Sequence, residues 1–574
     1  MRPFALPCFL LLVWPASQLA AQTAPAQVPD LRERIELFSA DLADLQRRYD
    51  VPMSGELHTR LRERLQQEQH DLQAIDFATL PRDARIDFLL LENHVHRELQ
   101  HLEEDAARDA EIAPLVPFAP LIVALGEARR RLENVDPEAA ASTCASLTTA
   151  IGAVRTALQQ GRFDALPAAI TQRAGSRMGA LRGALGQWFR FRDGYDPQFS
   201  WWVKSPYTDA DQALSDLQEQ LRARMAGKTG DSTLVGDPIG EASLLRELAF
   251  EWIPYTPTEL VAIAEREFAW CDAEMLKASR AMGCGDDWRA ALEKVKTLHR
   301  APGEQPQLIK ELAHEAIAFL EQHQLVTVPP LAKECWRMSM MSRQAQRVNP
   351  FFLGGETIQV SFPTDAMSHD EKLQSLRSNN EHFCRATVFH ELIPGHWLQR
   401  YSQARYRTYR GPFDTPFWIE GWALYWEMRL YDLGLPQSPE DRTGMLYWRK
   451  HRCARIVFSL NFHLGKWTGP QCVEYLIDRV GHERAAAEGE VRRSVSGGYG
   501  PLYQAAYMLG GLQMRALHDE LCGSGSDGSG SEWTEQRFHD AILRENSIPI
   551  AALRAALAKA PPPRDLAGWR FADR

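Results

Sequence analysis

Cysteine is scarce in this chain, nine in 574 residues, and no two of them form a C-x-x-C pair, so a metal or redox motif of that kind is excluded. A body this large also has no need of disulfides to hold its core. Basic residues are not in excess: 65 Lys and Arg stand against 75 Asp and Glu, a formal charge of −10. That balance favours solubility and removes the electrostatic footprint of a nucleic-acid binder. Beyond the first twenty residues no stretch reaches the ~18 apolar residues of a membrane-spanning helix, and no internal repeat stands out.

What is present begins with a leader. Met1-Arg2, an apolar run from Phe4 to Val13 and the small residues Ala16 to Ala21 have the plan of a secretory signal peptide, 1–21. Cys8 lies inside its apolar part, a poor place for a lipid anchor. The expectation is an exported protein, periplasmic or secreted, with no stable membrane insertion once the leader is removed.

From 28 onward the chain reads as helix upon helix. Leu31, Ile35, Phe38, Leu42, Leu45 and Tyr49 recur at steps of three and four, an apolar stripe. Helices are predicted at 55–75, from Pro81, and at 119–133, 137–160, 164–192 and 207–226. Further ones are predicted at 240–253, 257–282, 286–297 and 304–323. Tyr195 to Pro206, with Trp201-Trp202, reads as an aromatic connection whose rings plug a gap between helices, and 227–240 as a loop. These residues, 22–325, form a predicted scaffold lobe.

The pattern changes in the second half, 326–574. Thr357, Gln359 and Ser361 alternate with Ile358, Val360 and Phe362, which predicts a strand after a Gly354-Gly355 turn. Such a strand either offers its edge to an extended substrate backbone, through Gly354, Gly355 and Gln359, or covers the core as a hairpin. Helices are predicted from Asn379 to about Tyr406, at 417–433, 440–464, 468–479 and 484–494, after the Gly497 to Pro501 link, and from about Trp533. The Gly/Ser run 523–531 reads as an exposed loop.

Chemistry concentrates at His390-Glu391-Leu392-Ile393-Pro394-Gly395-His396 and at Glu420, 24 residues further on. In HExxH the histidines stand at i and i+4 on one helix face and share a zinc ion. Here the spacing is i and i+6, about 120° apart on a regular helix. Pro394 cannot donate to His390 and Gly395 tolerates unusual backbone, so a bulge or kink at 393–395 is expected to bring His396 back to the ion. Each histidine alone could be an ordinary helix residue and Glu391 a solvated charge. The apolar run Ala386 to Phe389 and the aromatic setting of Glu420 argue instead for buried ionisable groups, which need partners or metal. Glu427, seven residues after Glu420 and on about the same face, suits an acceptor behind a ligand histidine. Cys384 reads as a packing residue.

The segments HELIPGHWLQ, FWIEGWALYWE and YGPLYQAAYMLGG, with YDPQFSWWVKSPY, DPIGEASLLRELAFEWIPYTPTEL and NPFFLGGETIQVSFPT upstream, resemble the bacterial domain-of-unknown-function family eight-eight-five, whose mark is HExxPGH. The resemblance spans nearly the whole chain, 28–574. Members are regarded as candidate zinc metallopeptidases, distantly similar to thimet oligopeptidase and the carboxypeptidase Taq group, which also carry a second glutamate seven residues after the zinc glutamate. It implies a mainly α, metallopeptidase-like fold, with two lobes around a cleft and a small β element before the metal helix. It implies one Zn²⁺ per chain on His390, His396 and Glu420, with Glu391 as general base. It points to Tyr507 as a donor to the tetrahedral intermediate, with Tyr503 one turn earlier, and to Arg493 as a partner for a substrate carboxylate. This chain has Ser494 where the family has a tyrosine.

The expected function is hydrolysis of short peptides through an activated water. A zinc hydrolase of non-peptide amides or esters, and a non-catalytic periplasmic binding or scaffold protein with a vestigial site, are the alternatives. Oligomeric state, side-chain preference and the choice between exo- and endopeptidase are open at this point.

Overall fold

A computed structural model describes residues 30–229, 234–346, 351–495, 498–523 and 532–573. The leader 1–21, most of the Gly/Ser run 523–531, Gly497 and residues 230–233 of the 227–240 loop lie outside the described residues. Within them the chain is mainly α: 23 α-helices and one two-stranded sheet. No described helix is long and apolar enough to cross a membrane.

Local chemistry sets most helix ends. Thr256 and Glu259 exchange side-chain bonds with each other's backbone at the start of Pro257–Ala281, with proline at the first position. Ser438 with Asp441 and Thr468 with Gln471 do the same for Pro439–His463 and Gly469–Val480. The stripe read in the first helix, Leu31–Arg48, buries Leu31, Ile35 and Phe38.

Three parts differ from the sequence-based expectation. Tyr195 to Pro206 is not an aromatic plug. The Asp196 carboxylate accepts from the Phe199 N–H at 3.1 Å and a single helix, Pro197–Thr229, runs on with Pro206 inside it. Trp201 and Trp202 consequently face outward, 84% and 44% exposed. Next, the strand Thr357–Val360 is not confined to a hairpin. It pairs in parallel with Arg337–Met340, Arg337 opposite Thr357 and Met340 opposite Val360, and Leu353 bonds both ways with Gln359, at 2.7 and 3.1 Å. The backbone of Gln359 is therefore already engaged by the chain itself. Finally, the helix expected from Asn379 to Tyr406 is two helices.

Buried apolar side chains divide into two cores. The larger takes in buried residues of the first three helices together with most of those from Leu234 onward, while Ile112 to Leu221 pack around a second. Residue 325 is not a boundary in this packing, since Leu325 and Val326 both belong to the larger core. Inside that core, Pro416–Asp432 crosses Tyr503–Cys522 at bare backbone. A Cβ on Gly510 would lie 2.0 Å from the Phe417 carbonyl oxygen, and one on Gly421 would lie 2.6 Å from the Gly510 Cα. Only glycines at both positions let these helices come so close. That approach is what sets Glu420 beside Tyr503 and Tyr507.

Candidate metal centre

The helix Glu381–Glu391 begins at Asn380, whose side chain accepts from the N–H groups of His382 and Phe383. It buries every residue from Phe383 to His390. Cys384, 1% exposed, gives its thiol to the Asn379 carbonyl at 3.3 Å, and burial pushes its pKa up. It is a packing residue, as its surroundings predicted.

After Glu391 the helix stops, and after four intervening residues His396 opens a new one, His396–Gln403. The expected bulge is thus a complete break. Pro394 offers no N–H, and the Gly395 N–H turns back to the Phe389 carbonyl at 3.0 Å. A Cβ on Gly395 would stand 1.9 Å from the His390 carbonyl oxygen, a collision of backbone with backbone that only glycine avoids. Trp422, from the Glu420 helix, donates to the Pro394 carbonyl at 2.9 Å and pins the break to the third ligand's helix. As the first residue of a separate helix, His396 is free of the 100° step that would have pointed it away.

The result is convergence. The rings of His390 and His396 lie 4.7 Å apart and nearly perpendicular. The Glu420 Oε2 is 3.2 Å from His390 Nε2 and 3.3 Å from His396 Nε2. One nitrogen or oxygen from each of the three residues falls within 4.8 Å of the other two. Ligands on a tetrahedral ion with bonds of about 2.1 Å stand about 3.4 Å apart, so the spacing suits zinc.

The outer nitrogens fix the tautomers. His390 Nδ1 meets Glu427 Oε1 at 2.7 Å and His396 Nδ1 meets Gln399 Oε1 at 2.9 Å. Both oxygens can only accept, so each Nδ1 carries a proton and each Nε2 is left to face the Glu420 carboxylate. Lone pairs aimed at a carboxylate demand a cation between them. Burial pulls the His390 pKa down, but Glu420 and Glu427 outweigh it and raise it to about 9. Burial pushes the Glu420 carboxyl up, yet the two histidines hold it well below the usual range. The pocket is built to retain positive charge, as a proton or as a metal ion.

Glu391 is different in kind. Among the described residues its carboxylate has no hydrogen-bond or ion-pair partner, and it opens on a cavity of about 460 Å³ that also exposes His390, His396 and Glu420. Burial raises its pKa, against the pull of His390 and His396. Gly354 lies on it: a Cβ there would be 1.7 Å from Glu391 Oε2. Gly355, at φ +126°, and Gln359 also line this cavity.

Tyr503 and Tyr507 take unequal places. The Tyr503 hydroxyl donates to Glu420 Oε1, and the residue also lines the cavity, so it holds that carboxylate from a position open to a bound molecule. Tyr507 stacks at 5.8 Å from the His390 ring, lines the cavity and has a pKa pushed up to about 12 by burial and Glu420. Arg493 lies over the Tyr499 ring at 4.8 Å, also on the cavity. Sequence reading missed Gln399, the acceptor behind His396, and the buried basic stretch Arg449 to Arg455, which sends Arg452 and Arg455 to the cavity. Four cations in the middle of a long helix were the available signal.

A helical protein with a buried His-His-Glu centre, an acceptor behind each histidine and a free carboxylate beside them is the class these features define. The chain belongs to the family described as "Bacterial protein of unknown function (DUF885)", which matches residues 39–557. Two solved structures share the fold. One, described as a "putative lipoprotein of unknown function from Shewanella oneidensis", is 17% identical at a TM-score of 0.68, covering 92% of this chain and all of that one. The other, the "putative lipoprotein from Colwellia psychrerythraea", is 16% identical at 0.57, covering 92% and 97%. No curated protein matches the chain.

Proposed function

We propose that this protein is a zinc-dependent peptidase that hydrolyses short peptides. The observation that carries the reading is the division of labour at the centre: two Nε2 atoms and one Glu420 oxygen converge within 4.8 Å, while the Glu391 carboxylate next to them has no partner among the described residues. A structural zinc site has no use for that free carboxylate.

A zinc ion held by His390, His396 and Glu420 supplies Lewis acidity that polarises a carbonyl and lowers the pKa of water. Glu391 receives the proton of the attacking water and returns it to the leaving amine, a task favoured by the upward shift that burial gives its pKa. Tyr507, which lines the cavity, donates its hydroxyl to the oxygen that gains charge. Tyr503 and Gln399 act by orienting Glu420 and His396. The cavity, about 460 Å³, suits a short peptide segment better than a folded protein. The leader-like N-terminus and the likeness to two proteins described as lipoproteins support a place outside the cytoplasm.

The test is Glu391→Gln. Purified protein should carry one zinc per chain by elemental analysis in both forms, and mass spectrometry of a peptide mixture should show cleavage by the native chain alone. Cleavage at the native rate by the variant would refute the assigned base. Absence of metal from native protein would refute the centre.

A further inference from the structure

We infer that the cavity selects substrates by a carboxylate close to the bond being cut, and that Arg452, Arg455 and Arg493 are the residues that read it. This rests on the peptidase reading and adds its substrate class: short peptides cleaved next to a free carboxyl end.

Arg452 and Arg455 stand three residues apart on Pro439–His463, so their side chains share a face. They are 5% and 3% exposed, and both guanidinium groups lie over the Tyr507 ring, at 4.8 and 4.4 Å. Arg493 reaches the same cavity from Arg484–Val495. Charge within this group does not balance. Arg455 bonds Glu490 at 2.6 Å. Arg452 has only Glu427 at 3.6 Å, and that oxygen already accepts from His390. Among the described residues, Arg493 has no carboxylate of its own within ion-pair distance. Arg452 Nε, Arg455 Nη1 and Arg493 Nε are all shielded and without acceptors.

Those three N–H groups are closed off from the cavity, but the guanidinium groups that carry them line it, and a buried guanidinium without a balancing carboxylate is costly unless something anionic completes it. Planar, forked donors match a carboxylate in two-point contact. Position supplies the register. The Tyr507 ring lies 5.8 Å from the His390 ring and 4.4 Å from the Arg455 guanidinium, so the guanidinium stands at most about three residues of extended chain from the centre. A carboxylate bound there places the scissile bond one to three residues from the end. The carboxylate could belong to the chain terminus or to an Asp or Glu side chain; we take the terminus, because it is the carboxylate every short peptide has.

The test compares one peptide of alanines as the free acid, as the C-terminal amide, and as the amide with a glutamate near its end. The native chain should cleave the acid at least about 100-fold better in kcat/KM than the plain amide, since a site built for a polar partner rejects the analogue lacking it. The glutamyl amide identifies the source: recovery of cleavage assigns a side-chain carboxylate, no recovery assigns the terminus. Arg493→Gln and Arg455→Gln should each collapse the acid-to-amide ratio towards one. Arg493 is the safer variant, being half-buried and leaving no acid unpaired. Equal cleavage of acid and plain amide by native protein would overturn the inference and leave the peptidase reading standing. If nothing is cleaved, the peptidase reading falls, and thermal shift with dialanine against dialanine amide then decides the inference: a shift with the acid alone sustains it, equal responses reject it.

Discussion

Glu427 Oε1 accepts from His390 Nδ1 at 2.7 Å, and its other oxygen, buried, has no protein partner. The pair joins two helices, Glu381–Glu391 and Pro416–Asp432, at the residue next to the proposed base. The bond holds the His390 ring in the tautomer that leaves Nε2 to a metal and makes that nitrogen more basic. Replacing Glu427 by glutamine keeps the shape but substitutes a neutral acceptor. Zinc affinity should fall about 10- to 100-fold, read by competition with a chromogenic chelator. An unchanged affinity would mean that Glu427 balances Arg452 and does nothing for the metal.

Two glycines at the site should fail differently when given a methyl group. At Gly354 the new Cβ meets the far end of a side chain, Glu391 Oε2, at 1.7 Å; at Gly395 it meets the His390 carbonyl oxygen at 1.9 Å. A side chain can rotate away, so Gly354→Ala should keep fold and zinc while displacing the base, with peptide cleavage down at least about tenfold, the scale of a mispositioned catalytic group. Backbone cannot yield so cheaply. Gly395→Ala should lose zinc and be destabilised by about 3 kcal/mol or more. Equal zinc content and equal melting temperatures in the two variants would contradict this contrast.

The site was legible in the sequence where one short segment or one helical repeat carried it. His390, Glu391, Glu420 and Glu427 could be read because charged residues stood in apolar surroundings at a metal-site spacing. Pro394-Gly395 announced a departure from regular helix, but spacing could not say whether the helix would bend or end. Helices with an apolar stripe, such as Leu31–Arg48, or a capping pair, such as Pro257–Ala281, were read closely. Pro197–Thr229 was cut short, because two tryptophans and an internal proline mimic a connection. Gln399 and Arg455 escaped notice for a different reason: neither sits in a motif, and each acquires its role only through contacts that cross the fold. The parallel partner of Thr357–Val360 was missed likewise, since Arg337–Met340 is four residues with one face of mixed exposure.

Acid should destabilise the protein well before its carboxylates titrate. His463, His482 and His539 are buried, and burial lowers their pKa values to about 4, 3 and 3. His451, whose burial acts together with the nearby Arg455, is also shifted well down. A histidine held below its ordinary value of about 6.5 stays neutral in the folded chain while the unfolded chain takes up the proton. Its contribution is therefore complete above pH 6.5 and is lost as pH falls from there towards 4 and 3. Four such groups imply uptake of about four protons on unfolding near pH 5.5, a slope of about 5 kcal/mol per pH unit. His101 and His518, shifted upward by Glu247 and by Asp519 and Glu535 respectively, act above pH 6.5 and do not cancel this slope. Urea unfolding followed by fluorescence from pH 7 to pH 5 should show the midpoint dropping steeply, and His463→Gln should flatten the slope by about one proton. A midpoint that stays level across that interval would show that these imidazoles gain partners or water on protonation and that the fold tolerates their charge.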